Sequence, residues 1–425
     1  ICYYLHSRMS LFLCLVFLMF GLHATIHCAP HDSSEGKVAT CHSPQHNATL
    51  YKMSSINADF AFNLYRRFTV ETPNRNIFFS PVSITAALAM LSYVAGSSTQ
   101  TQIIQVLGFN LTDTSMTELQ QGFQHVICSL NLPKKELELQ MGNALFLGKQ
   151  LIPLAKFLDD VKILYETEVF STDFSNVSAA QEEINCYVEK QSKGKIVGLI
   201  QDLKQKSIMV LVNYIHFKAQ WASPFHLSKT EDSSIFLVNK TITVQVPMMH
   251  QMEQYYHLVD TELNCTVLQK DYSKNALALF VLPKEGNMER VEKAMSSKTL
   301  KKWNRLLQKG WIDLFVPKFS ISATYDLRNM LLQMGMKDAF AENADFPGLA
   351  EDNDLQLSYV YHKAVLHVRE EGTRDVAAST DGLLDEPEIS VPSVIRFDRT
   401  FLLMILEKST RSILFLGKVV DPTEV

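Results

Sequence analysis

A long segment with neither strand nor helix pattern separates two strand patterns near the C-terminus, and few folds accommodate such a segment. Lys363–Val368 is rich in apolar and β-branched residues, as a buried strand is. Residues 370–393 are mostly small, acidic or turn-forming, and a strand pattern returns at Ile395–Leu406. A loop of roughly twenty residues inside a compact chain is uncommon and is usually either functional or disordered. The fold must therefore present a long loop between two strands, and this loop needs an explanation.

The rest of the chain mixes helix and strand patterns. Helices are predicted at Ser54–Arg67, where Ser54 or Ser55 can cap the first turn, and at Pro81–Met90 and Lys298–Leu307. The predicted strands are Ile208–Phe217, Thr241–Met249, Thr266–Gln269, Ala276–Leu282, Trp311–Phe315 and Phe319–Ser322. Helices come mainly first and strands mainly later, which indicates an α+β fold. The 425 residues are 47% hydrophobic and show no linker or repeat, so we predict one large domain.

An apolar run close to the N-terminus indicates a secretory signal peptide. Leu11–Leu22 is unbroken over 12 residues, whereas a transmembrane helix needs about 20. Its position fits a signal peptide, with Met9 as the start of translation and cleavage near Cys28. No later run could span a bilayer, so we expect a secreted protein without a membrane partner. The predicted organisation is upstream residues and signal peptide at 1–28, an N-terminal tail at 29–53, and the folded domain at 54–425.

Five sequons for N-glycosylation agree with secretion. A single three-residue pattern arises easily by chance, but five of them after a signal segment support one another. The acceptor residues are Asn47, Asn110, Asn176, Asn239 and Asn264.

The cysteines after the signal segment show neither CxxC nor metal-ligand spacing. They are Cys41, Cys128, Cys186 and Cys265. Cys41 lies near His42 and His46, but a polar tail explains this cluster better than a metal site does. We therefore predict no metal and no cofactor, and we predict no particular disulfide because the large apolar core does not require one.

Two functional classes are disfavoured by the sequence. The net charge of −5 and the scattered lysines leave no basic stripe for nucleic acid. The chain lacks a nucleophile elbow, HExxH, a P-loop and GxGxxG, and no residue set stands out as a catalytic triad. We therefore do not expect an enzyme.

Segments around the long loop and throughout the chain resemble the serpin family, in serpin order. These segments are Asn76–Ile84, Asn213–Phe225, Pro247–Met249, Val316–Ile321, His362–Val365, Glu370–Thr373, Phe397–Phe401 and Ser412–Pro422. The resemblance implies the serpin fold, in which helices surround a large central β-sheet and further sheets. It also implies that residues 370–394 form an exposed reactive-type loop.

This loop departs from what an inhibitory serpin needs. In inhibitory members a protease cleaves the loop, and its hinge end inserts into the central sheet with alternate side chains facing the core. Thr373, after Gly372, fits the first inserted position, but Asp375 would follow it inward, and burying an unpaired carboxylate is costly. The bond placed for attack lies near Glu386–Pro387, where proline restricts the backbone and removes an N–H. We therefore predict a non-inhibitory serpin.

The helix predicted at Lys298–Leu307 offers one side of a ligand slot. Leu300, Lys301 and Asn304 lie at i, i+1 and i+4, so a single helical edge presents an aliphatic floor, an ammonium and an amide. Without the family resemblance, a solvated helix edge explains the same residues.

Within the family the chain is most similar to a carrier of thyroid hormone, whose ligand lies between this helix, the first helix and the C-terminal hairpin. The resemblance implies ligand contacts from Ser54, Ala58, Leu277, Leu300, Lys301, Asn304, Leu406, Lys408 and Arg411. Leucines suit the two apolar rings of an iodothyronine, and the cationic side chains suit its carboxylate or ring faces. Lys408 stands where that carrier has arginine, so a planar guanidinium is lost and lower affinity is expected.

The sequence thus predicts a secreted, glycosylated, monomeric, non-inhibitory serpin that binds and transports thyroxine and triiodothyronine in extracellular fluid. Two alternatives stay open. One is a serine-protease inhibitor that acts through the 370–394 loop, and the other is a carrier of another apolar hormone such as a steroid.

Overall fold

A computed structural model describes residues 47–110, 112, 114–131, 137–273, 275–350, 355–372, 392–408 and 412–424. These residues all belong to the compact unit Ala39–Val425. The predicted signal peptide, most of the tail and the Cys41 cluster lie outside the described residues, as do Thr373, Asp375, Glu386–Pro387 and Arg411. No helix in the described part of the chain is long and apolar enough to cross a membrane.

The described residues form a mixed α+β structure, which confirms the predicted class. Its helices are α1 (Asn47–Glu71), α2 (Pro81–Val94), α3 (Ser97–Val106), α4 (Met116–Asn131), α5 (Ala155–Tyr165), α6 (Val177–Gln191), α7 (Met288–Ala294), α8 (Ser297–Leu306) and α9 (Arg328–Met334). Single 3-10 turns occur at Leu227–Lys229 and Asp338–Phe340.

The strands fall into two sheets. They are β1 (Ile77–Phe79), β2 (Leu137–Gly148), β3 (Thr167–Thr172), β4 (Met209–Ala219), β5 (Glu231–Leu237), β6 (Thr243–Asp260), β7 (Cys265–Asp271), β8 (Ala276–Pro283), β9 (Gln308–Pro317), β10 (Phe319–Asp326), β11 (Leu357–Val368), β12 (Ser393–Arg396), β13 (Phe401–Glu407) and β14 (Ile413–Val419).

The five-stranded sheet has the order β10–β11–β4–β2–β3, and core residues pack against both faces of its central strands. One face packs Phe146 and Val210 against Ile184 of α6, and the other packs Leu211 and Ile215 into the main core. Burial on both faces explains why β4 is almost continuously apolar. Strands β11 and β4 pair directly with each other, in parallel, along most of their length. No further strand is therefore inserted between the paired residues.

The larger sheet has the order β1–β14–β13–β8–β7–β6–β9–β12, and β5 pairs with β6. Its C-terminal hairpin, β13–β14, pairs with β8 on one side and β1 on the other. Sequence-local signals set several element ends. The Ser80 side chain caps α2 by accepting from the Ser83 N–H, and Pro81 occupies the first turn.

Two sequence predictions are corrected by the structure. Helix α1 begins at Asn47, so Ser54 and Ser55 lie inside the helix and cap nothing. The single strand predicted at Ile395–Leu406 is two strands, because β12 pairs with β9 whereas β13 pairs with β8 and β14. Between them the Phe397 N–H bonds to the Phe315 carbonyl, which anchors the connection outside either ladder.

The structure also bears on the cysteines, for which the sequence predicted no particular pairing. Cys128 is disulfide-bonded, and its partner lies outside the described residues. The pairing was not predictable, because it depends on tertiary proximity that cysteine spacing does not encode. Cys265 is a free thiol, and burial raises its pKa to about 12, so it stays protonated and unreactive at neutral pH.

Candidate ligand-binding site

Helix α8 carries the predicted polar edge, and few of its residues are buried. The Ser296 side chain caps it by accepting from the Thr299 N–H, as the sequence predicts. Only Ser297 and Trp303 of this helix are fully buried. Leu300 is half-buried against the core, whereas Lys301 and Asn304 are exposed. The helix therefore presents the aliphatic floor, ammonium and amide that the spacing predicted.

Helix α1 contacts α8 and carries two further predicted ligand residues. Ala58 is buried and Ser54 is half-buried. The Lys301 Nζ donates to the Ser55 Oγ at 3.2 Å. The structure thus brings Lys301 of α8 to α1, at the residue next to Ser54.

The large sheet supplies a pair of leucines. Leu277 of β8 lies directly opposite Leu406 of β13 in the antiparallel ladder. Directly paired residues project from the same face of a sheet, and both leucines are half-buried against the core. The two leucines that the resemblance implied therefore form one continuous apolar surface.

Lys408 follows β13 and is already engaged by an acidic residue that the sequence did not single out. Its N–H donates to the Asn275 carbonyl at 2.7 Å, and its Nζ lies 3.2 Å from Asp271 Oδ2. Asp271 also accepts from Gln269 Nε2 at 2.8 Å. Because Asp271 pairs with Leu277 in the β7–β8 register, its carboxylate belongs to the same row as the leucines. A ligand carboxylate would have to compete with it for Lys408.

A small cavity lies beside Ser54, between α1, α2 and α4. The space open to the centre of a water molecule is about 20 Å³, enough for one water molecule. Asn57, on its wall, is 7% exposed. Its Oδ1 accepts from the Thr85 hydroxyl at 2.8 Å, whereas its Nδ2 has no partner among the described residues. Sequence reasoning missed Asn57, because an asparagine inside a helix carries no signal of a cavity.

The chain leaves β11 through a tight turn that ends at Gly372. Arg369 and Gly372 exchange backbone hydrogen bonds at 2.8 and 3.0 Å, and Gly372 also bridges to Gln220, just past β4. Gly372 has a φ of +125°, and a Cβ there would lie 2.3 Å from the Ala219 carbonyl oxygen. Only glycine fits this position, which explains the predicted hinge glycine in physical terms.

Side chains fasten the same turn to its surroundings. Lys318 Nζ lies 3.0 Å from a carboxylate oxygen of Glu370, which also accepts from the Thr230 hydroxyl at 3.1 Å. The hinge is therefore held at the end of the five-stranded sheet.

Backbone hydrogen bonds connect the hinge to the slot. The Trp221 N–H donates to the Glu371 carbonyl at 2.9 Å, and the Trp221 indole stacks on Tyr272 with ring centroids 4.2 Å apart. The Ser273 N–H donates to the Gln220 carbonyl at 2.7 Å. Asn275, two residues after Ser273, accepts from the Lys408 N–H. A short chain of contacts thus runs from the start of the loop to the predicted ligand residues.

Metal chemistry finds no support in the described part of the chain. No group of three His, Cys, Asp or Glu side chains there could hold a metal ion. The predicted ligand residues within the described ranges combine leucines, an amide and ammonium groups, a set that suits an apolar ligand with an anionic end.

Comparisons with known proteins place the chain in one protein family. A family model described as Serpin (serine protease inhibitor) matches residues 55–422. Thyroxine-binding globulin of Rattus norvegicus is 76% identical over 417 residues, which are 98% of this chain and 100% of the relative. A solved structure of thyroxine-binding globulin in complex with thyroxine is 75% identical, with a TM-score of 0.84, and the match covers 88% of this chain and 100% of that one.

A third comparison concerns the loop. A crystal structure of reactive-loop-cleaved human thyroxine-binding globulin is 79% identical, with a TM-score of 0.74, over 76% of this chain and 96% of that one. The similarity to these proteins therefore spans most of the chain.

Proposed function

The chain belongs to the serpin family, and from this premise we propose that it binds and transports thyroid hormone and does not inhibit proteases. The observation behind the proposal is the chemistry of the described ligand candidates: Leu277 and Leu406 pair on the β8–β13 ladder, and α8 exposes an amide and an ammonium group that reaches Ser55 of α1. The thyroxine complex of a protein 75% identical to this chain supports the same ligand class. The carrier function involves no chemical step, so the protein is not an enzyme.

The proposed ligand residues form one set around this slot. Leu277, Leu300 and Leu406 contact the iodinated rings, whereas Asn304 and Lys301 face the polar end of the hormone. Lys408 contacts the ligand once it leaves Asp271. Ser54 and Ala58 complete the α1 wall, and Arg411, outside the described residues, completes the set from the hairpin turn.

Equilibrium titration with thyroxine, triiodothyronine and cortisol tests the carrier function. Saturable binding of one thyroxine per chain, with cortisol binding much more weakly, is expected because a steroid offers no carboxylate to the ammonium groups. Equal or tighter binding of cortisol would replace the proposal with a steroid carrier. No thyroxine binding by folded, monomeric protein would remove it.

Absence of protease inhibition is a separate part of the proposal. Asp375 and Glu386–Pro387 are the sequence features that motivate it. After incubation with trypsin-, chymotrypsin- and elastase-like proteases, denaturing electrophoresis should resolve cleaved chain and no covalent adduct. A stable high-mass adduct with any of the three would make the chain an inhibitor.

We further propose that the protein is secreted and N-glycosylated. Asn110, Asn176 and Asn239 are exposed, as an acceptor must be, whereas Asn264 is half-buried in a turn with φ of +50°. The Asn47 side chain lies outside the described residues. Mass spectrometry of the protein from a eukaryotic culture medium should find glycans at the three exposed sites and lower occupancy at Asn264.

A further inference from the structure

We propose that Asp59 and Asp260 are positioning residues that hold α8 at the spacing which the ligand slot requires. The inference rests on the proposed hormone-binding function and concerns how its affinity is set. Neither carboxylate belongs to the ligand residues named above. Each acts through α8.

Helix α8 depends on outside contacts to keep its place. It has ten residues, and isolated helices shorter than about 12–15 residues are marginal in water. Only two of its residues are fully buried, and its first turn contains no acidic residue to favour the helix dipole. Its exposed edge is the one that presents Lys301 and Asn304. A helix with so little buried surface needs polar contacts to fix its position.

Asp59 holds the N-terminal end of α8 from helix α1. Its Oδ1 accepts from the Ser297 N–H at 2.8 Å, and its Oδ2 accepts from the Ser297 hydroxyl at 2.9 Å. The Ser297 N–H is one of the donors that a helix cannot satisfy internally, and a carboxylate at this end also complements the helix dipole. Asp59 directly follows Ala58 of the slot wall. The contact therefore sets the gap between the two helical walls.

Asp260 holds the other half of α8 from the end of β6. It is 4% exposed, and its Oδ2 accepts from Trp303 Nε1 at 2.8 Å and from Lys302 Nζ at 2.9 Å. Its Oδ1 accepts from the Glu262 and Leu263 N–H groups, both at 3.1 Å. Burial alone would raise the Asp260 pKa, but these hydrogen bonds outweigh it and hold the pKa below its usual value. The carboxylate is thus ionised at neutral pH, and both of its oxygens accept hydrogen bonds.

The two contacts act on one rigid element from opposite ends. Lys302 and Trp303 lie between Lys301 and Asn304 in sequence but point to Asp260 instead of the slot. Fixing these two residues therefore fixes the rotation of the helix about its axis, whereas Asp59 fixes its distance from α1. Both quantities decide where the Asn304 amide meets the ligand.

Paired substitutions at Asp59 test the N-terminal contact. Asp59→Ala removes both hydrogen bonds, yet alanine favours the helical state, so α1 itself is not weakened. We expect thyroxine Kd to rise about five- to tenfold, mainly through faster dissociation. Asp59→Asn keeps an oxygen for the Ser297 N–H and an amide for its hydroxyl, so its Kd should stay within about twofold of the parent value.

At Asp260 the isosteric substitution is the disruptive one. Asp260→Asn places an NH₂ group among four donors, so at least one of them loses its acceptor. We expect a rise in thyroxine Kd of about tenfold or more in the molecules that remain folded. Asp160→Asn is the matched control, because Asp160 lies on α5, away from the proposed slot. It accepts from the Tyr93 hydroxyl of α2 and from Lys156 Nζ of α5. Its Kd should equal that of the parent.

Binding stoichiometry separates positioning from simple loss of folded protein. A purely structural defect would lower the number of thyroxine molecules bound per chain and leave Kd unchanged, and this result would overturn the proposal. Equal Kd for Asp59→Ala and Asp59→Asn would overturn it as well.

Hydrogen exchange of the ligand-free protein tests, in the absence of hormone, whether Asp59 and Asp260 stabilise α8. Amides of residues 297–306 should exchange faster in Asp59→Ala and Asp260→Asn than in the parent, while those of β4 and β11 stay unchanged. Should the parent fail to bind thyroxine, the proposed function would fall while this measurement still decided whether the carboxylates hold α8. Parent-like exchange in α8 for both variants would refute the positioning role.

Discussion

Truncating Asn304 to alanine removes a polar group of the proposed slot that no protein group in the described part of the chain occupies before the ligand binds. Its side chain is exposed on α8 and has no hydrogen-bond partner within the described ranges. A hydrogen bond to a charged ligand group contributes about 1.5–3 kcal/mol. We therefore expect Asn304→Ala to raise thyroxine Kd about ten- to a hundredfold.

Lys301 already has a hydrogen-bond partner in the ligand-free protein, so its truncation should cost less thyroxine affinity. Its Nζ already donates to the Ser55 hydroxyl. Ligand binding exchanges this bond, worth about 1 kcal/mol, for a charged one worth about 1.5–3 kcal/mol. The difference of about 0.5–2 kcal/mol corresponds to roughly two- to thirtyfold in Kd for Lys301→Ala. Asn304→Ala should therefore be the more damaging substitution.

Titration of each purified variant with thyroxine, followed by quenching of intrinsic tryptophan fluorescence, measures these losses. Lys298 and Lys309 are exposed lysines near either end of α8 without an assigned ligand contact, so Lys298→Ala and Lys309→Ala should bind like the parent. The reasoning fails if Asn304→Ala and Lys301→Ala both bind thyroxine like the parent while their thermal unfolding is unchanged.

Three further outcomes are expected. Lys408→Arg should tighten thyroxine binding in the same titration, because a guanidinium stacks on an aromatic ring better than an ammonium does; weaker binding would mean that release from Asp271 dominates. Proteolysis within residues 382–388 should weaken thyroxine binding without abolishing it, because partial insertion of the loop would disturb the contacts from Gly372 to Asn275. The loss should be larger in Asp375→Ala. Equal Kd before and after cleavage would contradict this coupling between the loop and the ligand residues. Burial lowers the pKa of His362 to about 3, so below pH 6.5 the unfolded chain binds a proton that the folded chain does not, and stability should fall as the pH drops from 6.5 towards 3. Denaturant unfolding of His362→Gln across this range should lack that one-proton slope.

Local signals explain how much of the fold and slot could be predicted. Helix α8 was predictable within one residue at each end, because Ser296 caps it and its apolar positions recur with helical spacing. The α+β class and the serpin family are both confirmed. The hinge at Gly372 was indicated by its motif, and the structure adds the reason, a backbone approach that admits no side chain.

Contacts between distant segments explain what could not be predicted. The partner of Lys408 depends on the register of three strands, which places Asp271 in the row of Leu277 and Leu406. Asp59 lies 238 residues from Ser297, so nothing in the sequence around either residue indicates their contact. The break after Arg396 was missed for the same reason, since it follows from a change of strand partners, from β9 to β8 and β14.

Anomalous diffraction from crystals of this chain grown with thyroxine tests the central claim most directly, because the iodine atoms of the hormone mark its position without interpretation of weaker density. The account predicts iodine peaks between α1, α8 and the β8–β13 ladder, within contact of Leu277 and Leu406 and with the carboxylate end beside Asn304 and Lys301. Iodine peaks at full occupancy anywhere else on the molecule, with this slot empty, would contradict it.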